Sequence, residues 1–458
     1  MKKLVHSFGI DRAVFFTLLG RGWNVGAGLI IIALVAHFLS PELQGYYYTF
    51  NSLIALQVFA ELGLNFAIIQ FASHEMAQLS WQPDGTVSGN PEAKRRLQSL
   101  LHFALTWFAV AALLMILLLL PTGLHFFGAA KWNVIILPNV AIPWSLLVVF
   151  VAFNLFIGAA AAILEGCGKV AKVAALRLCQ SIFAMTAVCV TLSLDGQLYA
   201  LALSSLLMAV IGFAWLWFNF RAFFKDLFCH QTALLGMSWR KEIWPFQWRI
   251  AVSWMSGYLI FQLFNPLIFK THGPVAAGQM GMSLQIIAAM NGTAMAWITT
   301  KAPTYGQLVA TQQTKALDAL FRRGLLQSFV FLLVGVLSVW SALFYLNESA
   351  STYAARILPL PLFSWLCLVC LANHIVFAEA AYLRAHKEEP FMWLSIFGGL
   401  TTAVLALLLV PPLGKAGAVY SYLIPALVFG LLGGTTVFFW KRKAWASNRL
   451  IDNILVVK

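Results

Sequence analysis

The stretch AVFFTLLGRGWNVGAGLIIIALVAHF, residues 13–38, contains a single charged side chain, Arg21. An apolar run of this length can cross the ~30 Å of hydrocarbon in a bilayer as one helix. It therefore predicts a membrane span. An arginine inside a span costs at least about 2.5 kcal/mol unless its charge is satisfied, and intramembrane charges usually mark functional sites. Arg21 is thus a candidate site residue whose partner must lie elsewhere in the chain.

Similar apolar stretches recur along all 458 residues, of which 61% are hydrophobic and only 10% are charged, with a mean hydropathy of +0.83. Soluble domains carry roughly 25% charged residues. The composition therefore predicts an all-α polytopic membrane protein without a separate soluble domain. About twelve transmembrane helices are expected, at residues 13–38, 47–72, 99–120, 143–164, 173–194, 198–219, 250–269, 279–300, 324–346, 360–383, 391–411 and 417–440.

The net charge of +14 indicates membrane topology rather than nucleic-acid binding. On the predicted topology nearly all Lys and Arg side chains lie in the loops of one side. The opposite side holds only Lys131, Lys270, Arg356 and Lys415. Basic loops face the cytoplasm, so both termini are expected there, with anionic membrane lipids as neighbours.

The leader MKKLVHSFGIDR, residues 1–12, is expected to begin an uncleaved helix, because the apolar run after it is too long for a signal peptide.

The sequence carries no motif that indicates catalysis. It contains no GxxxxGK[ST], HExxH or GxSxG pattern, the marks of nucleotide, zinc and serine-nucleophile sites. The six cysteines lie in predicted spans or at their cytoplasmic edges, where packing is a better explanation than metal binding. We therefore predict no enzyme activity, no cofactor and no metal site. Any work would draw on an ion gradient, the membrane potential or the gradient of the substrate.

A basic, tryptophan-rich connector at residues 221–249 divides the twelve spans into two sets of six. Its composition favours a position along the membrane surface. The predicted N-terminal lobe covers residues 1–228, and the predicted C-terminal lobe covers residues 229–458. Because six is even, both sets would enter the membrane in the same direction. This predicts two pseudo-symmetric lobes around a central cavity, with a site between them.

A weak internal repeat supports this division. Shifting the sequence by 233 residues places Pro41 on Pro274 and Gly45 on Gly278, each pair at the start of a helix after a predicted outside turn. Few other residues are identical between the two halves.

Polar side chains recur at helical spacing inside the first two spans. Arg21 and Asn24 share a face of span one, and Gln57, Glu61 and Asn65 share a face of span two. Consecutive helices are usually neighbours, so Glu61 is the candidate partner of Arg21. The alternative is that Arg21 extends toward the cytoplasm while Glu61 bonds a neighbouring helix. The glycines beside Arg21 are expected mainly to allow close helix packing.

The C-terminal half offers a second set of polar and charged candidate residues. Span seven carries the stripe Trp254, Tyr258, Gln262 and Asn265, with a kink expected at Pro266. Arg249 and Lys301, near the inner membrane surface, either attract an anionic headgroup or serve topology alone. In span ten, His374 suggests either proton relay or, more simply, a hydrogen-bonded interhelical histidine. Glu379 lies near the inner interface, where Arg384 or Lys387 could screen its charge.

Two segments resemble a known family. They read FLSPELQGYYYTFNSLIALQVFAELGLNFAIIQFAS (38–73) and GPVAAGQMGMSLQIIAAMNGTAMAWITTKAP (273–303). With the glycines of span one, they resemble the polysaccharide transporters and oligosaccharide flippases of the multidrug/oligosaccharidyl-lipid/polysaccharide (MOP) superfamily. The resemblance implies two six-helix lobes that alternate access to a central cavity. It also implies a cavity position for Arg21 and a polyprenyl-pyrophosphate-linked saccharide as substrate, moved across a bacterial inner membrane. Twelve spans favour the O-antigen or capsule type.

The candidate residues are chemically suited to such a substrate. Arginine binds phosphate through its forked donors, and amides with aromatic rings suit sugars. H⁺ or Na⁺ would be the coupling ion, and glycan-assembly proteins are conceivable partners.

Two other functions stay open. A cation-coupled multidrug exporter would use Glu61 and Glu379 for organic cations, and a structural membrane protein would point its polar stripes at other helices.

Overall fold

The computed structural model describes residues 12–128, 137–229, 244–386 and 388–456. Residues 1–11 of the leader, the connector between 230 and 243, Lys131, Lys387 and the side chain of Arg249 lie outside the described part. The chain divides into two compact units, Met1–Met255 and Ser256–Lys458. This division falls later in the chain than the boundary that the sequence predicts between residues 228 and 229.

The first unit is helical apart from one hairpin. Its elements are α1 (Arg12–Phe38), α2 (Pro41–Ile54), a 3₁₀ turn (Ala55–Gln57), α3 (Val58–Glu61), α4 (Leu64–Met76), β1 (Leu79–Trp81), β2 (Val87–Gly89), α5 (Pro91–Gly128), α6 (Leu137–Leu164), a π-helical turn (Glu165–Lys169), α7 (Val170–Ser193) and α8 (Tyr199–Cys229).

The division between the units falls within α9. The elements from there on are α9 (Trp244–Phe261), α10 (Phe264–Thr299), α11 (Ala302–Ala310), α12 (Thr314–Glu348), a 3₁₀ turn (Ala354–Arg356), α13 (Leu360–Ala385), α14 (Met392–Leu413), α15 (Lys415–Pro425), a π-helix (Ala426–Gly433) and α16 (Gly434–Val456).

All twelve predicted spans lie in apolar helical stretches. Within the described residues, nine helical stretches are long and apolar enough to cross a membrane, and the bent pair Pro41–Glu61 and Leu64–Met76 adds a tenth. Two of the nine, Asn139–Ser193 and Ala251–Ala310, are 55 and 60 residues long. At 1.5 Å per residue each is more than twice the ~30 Å of hydrocarbon, so each holds two spans. The ten candidate stretches of the described residues, with one additional span in each of these two long stretches, therefore give twelve spans.

The two predicted helix starts are confirmed. Ser40 caps α2 by accepting a hydrogen bond from the backbone amide of Leu43 at 3.2 Å, and Pro41 follows in the first helical turn, a position that suits proline. In the second unit, Gly273 has a φ of 88° inside α10, and Pro274 restarts the helix after it. Because only glycine adopts this backbone readily, the Gly273–Pro274 pair separates spans seven and eight.

One end of the first unit gathers the loops that the sequence predicts to be cytoplasmic. β1 and β2 form an antiparallel hairpin, and the indole of Trp81 donates to the carbonyl of Cys167 at 2.9 Å. Lys94 pairs with Asp226 at 2.9 Å. The hairpin, the turn after α6 and the end of α8 therefore share one end of the unit.

The second unit has a comparable end. Arg442 pairs with Asp318 at 2.5 Å, and the hydroxyl of Tyr382 donates to the same carboxylate at 2.7 Å. Lys441 pairs with Glu388 at 2.5 Å. Lys441 and the indole of Trp445 hydrogen-bond Glu388 and lower its pKa. These contacts join the start of α12, the end of α13 and α16.

Candidate functional site

Helix α1 packs along α7 rather than along span two, which corrects the expectation that consecutive helices are neighbours. The contact includes a hydrogen bond from the Ser181 hydroxyl to the Asn24 side-chain oxygen at 2.6 Å. The short turn after α1 limits how far apart the two helix ends can lie, but it does not dictate which helix α1 packs against. Ser181 was not singled out from the sequence, because nothing local marks one serine in an apolar span as the partner of a residue 157 positions away.

Arg21 lies on an open face of α1. Its side chain is exposed, and in the described part of the chain no carboxylate approaches its guanidinium within ion-pair distance. The glycines on this helix are equally open, since a Cβ at Gly20, Gly22, Gly26 or Gly28 would meet no atom within 4 Å. The expectation that they allow close packing is therefore wrong in this structure.

Span two is broken in its middle. Leu62 and Gly63 both adopt left-handed backbone, with φ of 47° and 66°, and the helix bends by 41° there. The break frees backbone carbonyls that an intact helix would bond. The indole of Trp107 on α5 donates to one of them, that of Ala60, at 3.2 Å. Trp107 was not among the predicted site residues.

This break corrects the predicted stripe on span two. Gln57 ends a 3₁₀ turn, Glu61 ends α3, and Asn65 lies in α4, so the three do not share one continuous helix. Glu61 is half-buried and forms no ion pair with Arg21 in the described residues. The side-chain oxygen of Asn65 is buried without a hydrogen-bond partner among the described residues.

Span seven is also broken, four residues before Pro266. Helix α9 ends at Phe261, and α10 begins at Phe264, which makes Pro266 its third residue. A proline ring collides with the carbonyl four residues earlier, here that of Gln262. The kink expected at Pro266 therefore lies at Gln262–Leu263.

The predicted stripe of span seven does not continue regularly across this break. Trp254 is 46% exposed, Gln262 is half-buried, and Tyr258 and Asn265 are buried. Lys301 is half-buried and immediately precedes α11. Its ammonium and the Tyr305 hydroxyl both approach the backbone of Gly324 on α12.

His374 is fully buried and hydrogen-bonded on both ring nitrogens. Nε2 lies 2.8 Å from the Ser328 hydroxyl, and Nδ1 lies 3.2 Å from the side-chain oxygen of Asn291. The simpler prediction, an interhelical histidine with its hydrogen bonds made, is confirmed. The neighbouring Asn373 donates to the hydroxyl of Tyr422 at 2.8 Å.

Glu379 is 4% exposed, and the Thr435 hydroxyl donates to it at 3.3 Å. The screening expected from Arg384 is not observed, because Arg384 binds Glu389 through two nitrogens at 2.7–3.1 Å. Glu75 in the first unit is equally buried but pairs with Arg96 at 2.8 Å.

Among the described residues, no three His, Cys, Asp or Glu side chains come together as a metal site requires.

The fold resembles that of solved membrane transporters. An inward-facing multidrug resistance MATE family transporter of the MOP superfamily aligns with a TM-score of 0.60 and 16% identity, over 92% of this chain and 95% of that one. The MATE multidrug transporter DinF-BH aligns with a TM-score of 0.60 and 15% identity, over 93% and 94%. A MOP superfamily transporter from Pyrococcus furiosus, described as having a binding pocket of reverse polarity, gives 0.56 and 16%, over 93% and 94%.

These similarities show the fold of the chain, and its long apolar helices show a multi-pass membrane protein. Residues 10–295 match the model of the family described as polysaccharide biosynthesis protein. The match covers more than half of the chain, so the chain belongs to this family. No curated protein matches the sequence.

Proposed function

We propose that the protein translocates a polyprenyl-pyrophosphate-linked oligosaccharide or polysaccharide precursor from the inner to the outer leaflet of a bacterial inner membrane. The protein would work by alternating access to a binding cavity, with both termini in the cytoplasm. A gradient of H⁺ or Na⁺ would drive the cycle, since the sequence contains no nucleotide-binding motif. The family match supports a saccharide as cargo.

The observation that carries the proposal is the open guanidinium of Arg21. An intramembrane arginine usually faces a partner or a water-filled space, and within the described residues no protein carboxylate occupies this position. A pyrophosphate is an anion that matches its fork of donors. Asn24, three residues further along the same helix, adds an exposed amide whose oxygen accepts from Ser181.

The other proposed cavity residues would bind the saccharide. Amides and aromatic rings bind sugar hydroxyls and ring faces, and the substrate would contact these groups in turn. They are Gln57, Glu61, Asn65, Trp254, Tyr258, Gln262 and Asn265, with Arg249 and Lys301 attracting the headgroup near the inner surface.

The test is a leaflet-resolved assay with purified protein in vesicles that contain a lipid-linked oligosaccharide. A membrane-impermeant lectin reports the saccharide in the outer leaflet. We expect Arg21→Gln to slow translocation at least tenfold and Arg21→Lys to keep part of the rate. Arg177→Gln is the matched control, because Arg177 is an exposed arginine of the same unit that pairs with Glu165 at 2.7 Å. A wild-type rate in Arg21→Gln would contradict the role of Arg21.

The second candidate is a cation-coupled multidrug exporter, favoured by the similarity to multidrug transporters. Such a protein needs carboxylates for organic cations, and Glu61 and Glu379 are the available ones. Deleting the gene separates the two functions. Accumulation of lipid-linked saccharide in the inner leaflet supports the flippase, whereas an intact surface glycan with new drug sensitivity supports the exporter.

A further inference from the structure

An apolar groove of about 500 Å³ lies in the first unit between the broken span two and α5. Its volume falls in the range of small-molecule binding sites. The walls are apolar side chains of both segments, and the only side chain among them with an amide or a charge is Gln57. We call it the α5 groove.

The break in span two forms one wall of the groove. The left-handed residues Leu62 and Gly63 turn α4 away by 41°, so span two does not follow α5 along its whole length. The hydrogen bond from Trp107 to the carbonyl of Ala60 holds α3 in this position. Leu62, Ala60 and Trp107 all line the groove, so it is built by backbone geometry.

The groove is open along an exposed apolar face of α5. Its α5 wall includes Val110, Leu114 and Leu118, which lie on one face of the helix at a spacing of four. They are 51%, 50% and 61% exposed and belong to an apolar membrane-spanning helix. The groove is therefore continuous with the surface that lipid hydrocarbon covers. Its chemistry excludes a water-soluble ligand, because one amide cannot satisfy a polar molecule.

The shape fits a chain molecule. The α5 residues that line the groove run from Trp107 to Leu119, which is about 18 Å along the helix axis. On the predicted topology, the Trp107 end is closer to the cytoplasm and the Leu119 end to the outside. A lipid with its headgroup at the inner surface would extend its tail along this groove.

We propose that the α5 groove binds the polyprenyl tail of the lipid-linked substrate while the headgroup crosses. This inference rests on the proposed function. Gln57 lines the groove and Glu61 ends α3 beside it, and both are proposed to contact the saccharide. One segment would thus contact the sugar through its polar residues and the tail through its apolar ones. An ordinary phospholipid has no saccharide for these residues to bind.

The test uses polyprenyl phosphate with a photoreactive diazirine in its tail, added to wild-type protein in vesicles. Mass spectrometry of the adducts locates the tail. We expect adducts on groove residues, and we expect an excess of unlabelled polyprenyl phosphate to reduce them at least tenfold. Leu114→Trp and Leu118→Trp fill the groove and should reduce adducts and translocation at least fivefold.

The matched controls are Leu113→Trp and Leu117→Trp. These leucines are the immediate neighbours on α5 and are 56% and 58% exposed, but they do not line the groove. Their adduct yield and translocation should stay within twofold of wild type. Equal loss in controls and groove variants would mean a general effect on α5 and would overturn the proposal.

Two further outcomes separate this inference from the proposed function. If wild-type protein translocates the saccharide but the adducts lie elsewhere, the groove proposal fails and the flippase stands. The groove proposal also fails, and the flippase stands, if photoreactive phosphatidylglycerol labels the groove and polyprenyl phosphate does not displace it. If wild-type protein translocates no lipid-linked saccharide, the proposed function fails and the groove proposal fails with it.

Discussion

The two broken spans make an instructive comparison, because similar interruptions of a helix have opposite consequences. In the first unit, two left-handed residues break span two without a proline, and an apolar groove opens beside the break. In the second unit, Pro266 breaks span seven without a left-handed residue, and Phe264 and Asn265 just after the break are buried.

The difference lies in the helix on the other side. At the second break, Tyr422 of α15 packs against Phe261 and Phe264, with ring centroids 6.0 and 5.6 Å apart. At the first break, α5 presents Ala111 and Leu114, which do not fill the space. A broken helix therefore leaves a groove only where its neighbour lacks a side chain large enough to replace the missing contact.

The largest expected effect is that of Tyr422→Ala. It removes the ring that fills the second break and the partner of Asn373, so it should open a groove there and lower the free energy of unfolding by about 3–5 kcal/mol. Thermal unfolding in detergent measures this. Tyr420→Ala on the same helix is the control, because Tyr420 is 36% exposed. Equal losses in the two variants would mean that Tyr422 does not fill the break.

The next largest effect on stability is expected at the close contact between α14 and α9. A Cβ on Gly399 of α14 would lie 3.0 Å from the carbonyl oxygen of Ser256, so Gly399→Ala should destabilise by about 1–3 kcal/mol. Gly398 is the adjacent control, since its Cβ would meet Phe429 at an ordinary 3.7 Å. Gly398→Ala should be neutral or stabilising through helix propensity. Equal melting temperatures would contradict the tight contact.

At the first break, Trp107→Phe should cost about 1–3 kcal/mol, because the carbonyl of Ala60 loses its donor in an apolar setting. The remaining ring keeps most of the packing. Chemical denaturation in detergent measures the cost. Trp217→Phe on α8 is the control, since Trp217 is 55% exposed and stacks only on Phe213 among the described ring contacts. If Trp217→Phe proves equally costly, the indole bond does not stabilise the break.

The smallest effect is expected for Gly63→Ala, at about 1 kcal/mol, because alanine is strained at a φ of 66°. Gly26→Ala on α1 is the control, since Gly26 is helical and its Cβ would meet nothing within 4 Å. The control should gain stability through helix propensity. A gain in both variants would show that the break straightens without cost.

Much of the fold could be predicted because its signals are local. Apolar length located all twelve spans, and Pro41 and Pro274 indicated helix starts. Two further local signals indicate where the spans break. Gly63 after Glu61 is a common way to end a helix, and the four-residue reach of a proline ring locates the second break at Gln262. The prediction of one continuous helix for each span accounts for neither break.

The candidate site was harder to predict, because its contacts join residues that are far apart in the chain. Asn24 meets Ser181, His374 meets Ser328, and Asn373 meets Tyr422. An apolar span offers many serines and tyrosines, and spacing along one helix does not show which of them another helix brings close. The same reasoning explains why Glu61 was a wrong choice of ion-pair partner for Arg21.

The sequence by itself determined that this chain is a membrane protein built from twelve apolar helices, because hydrophobicity and turn chemistry act over short stretches. The tertiary structure alone decided which face of α1 stays open, which helix α1 packs against, and where a broken span leaves an apolar groove. Those outcomes depend on which side chains meet across helices, and packing of the whole unit settles that.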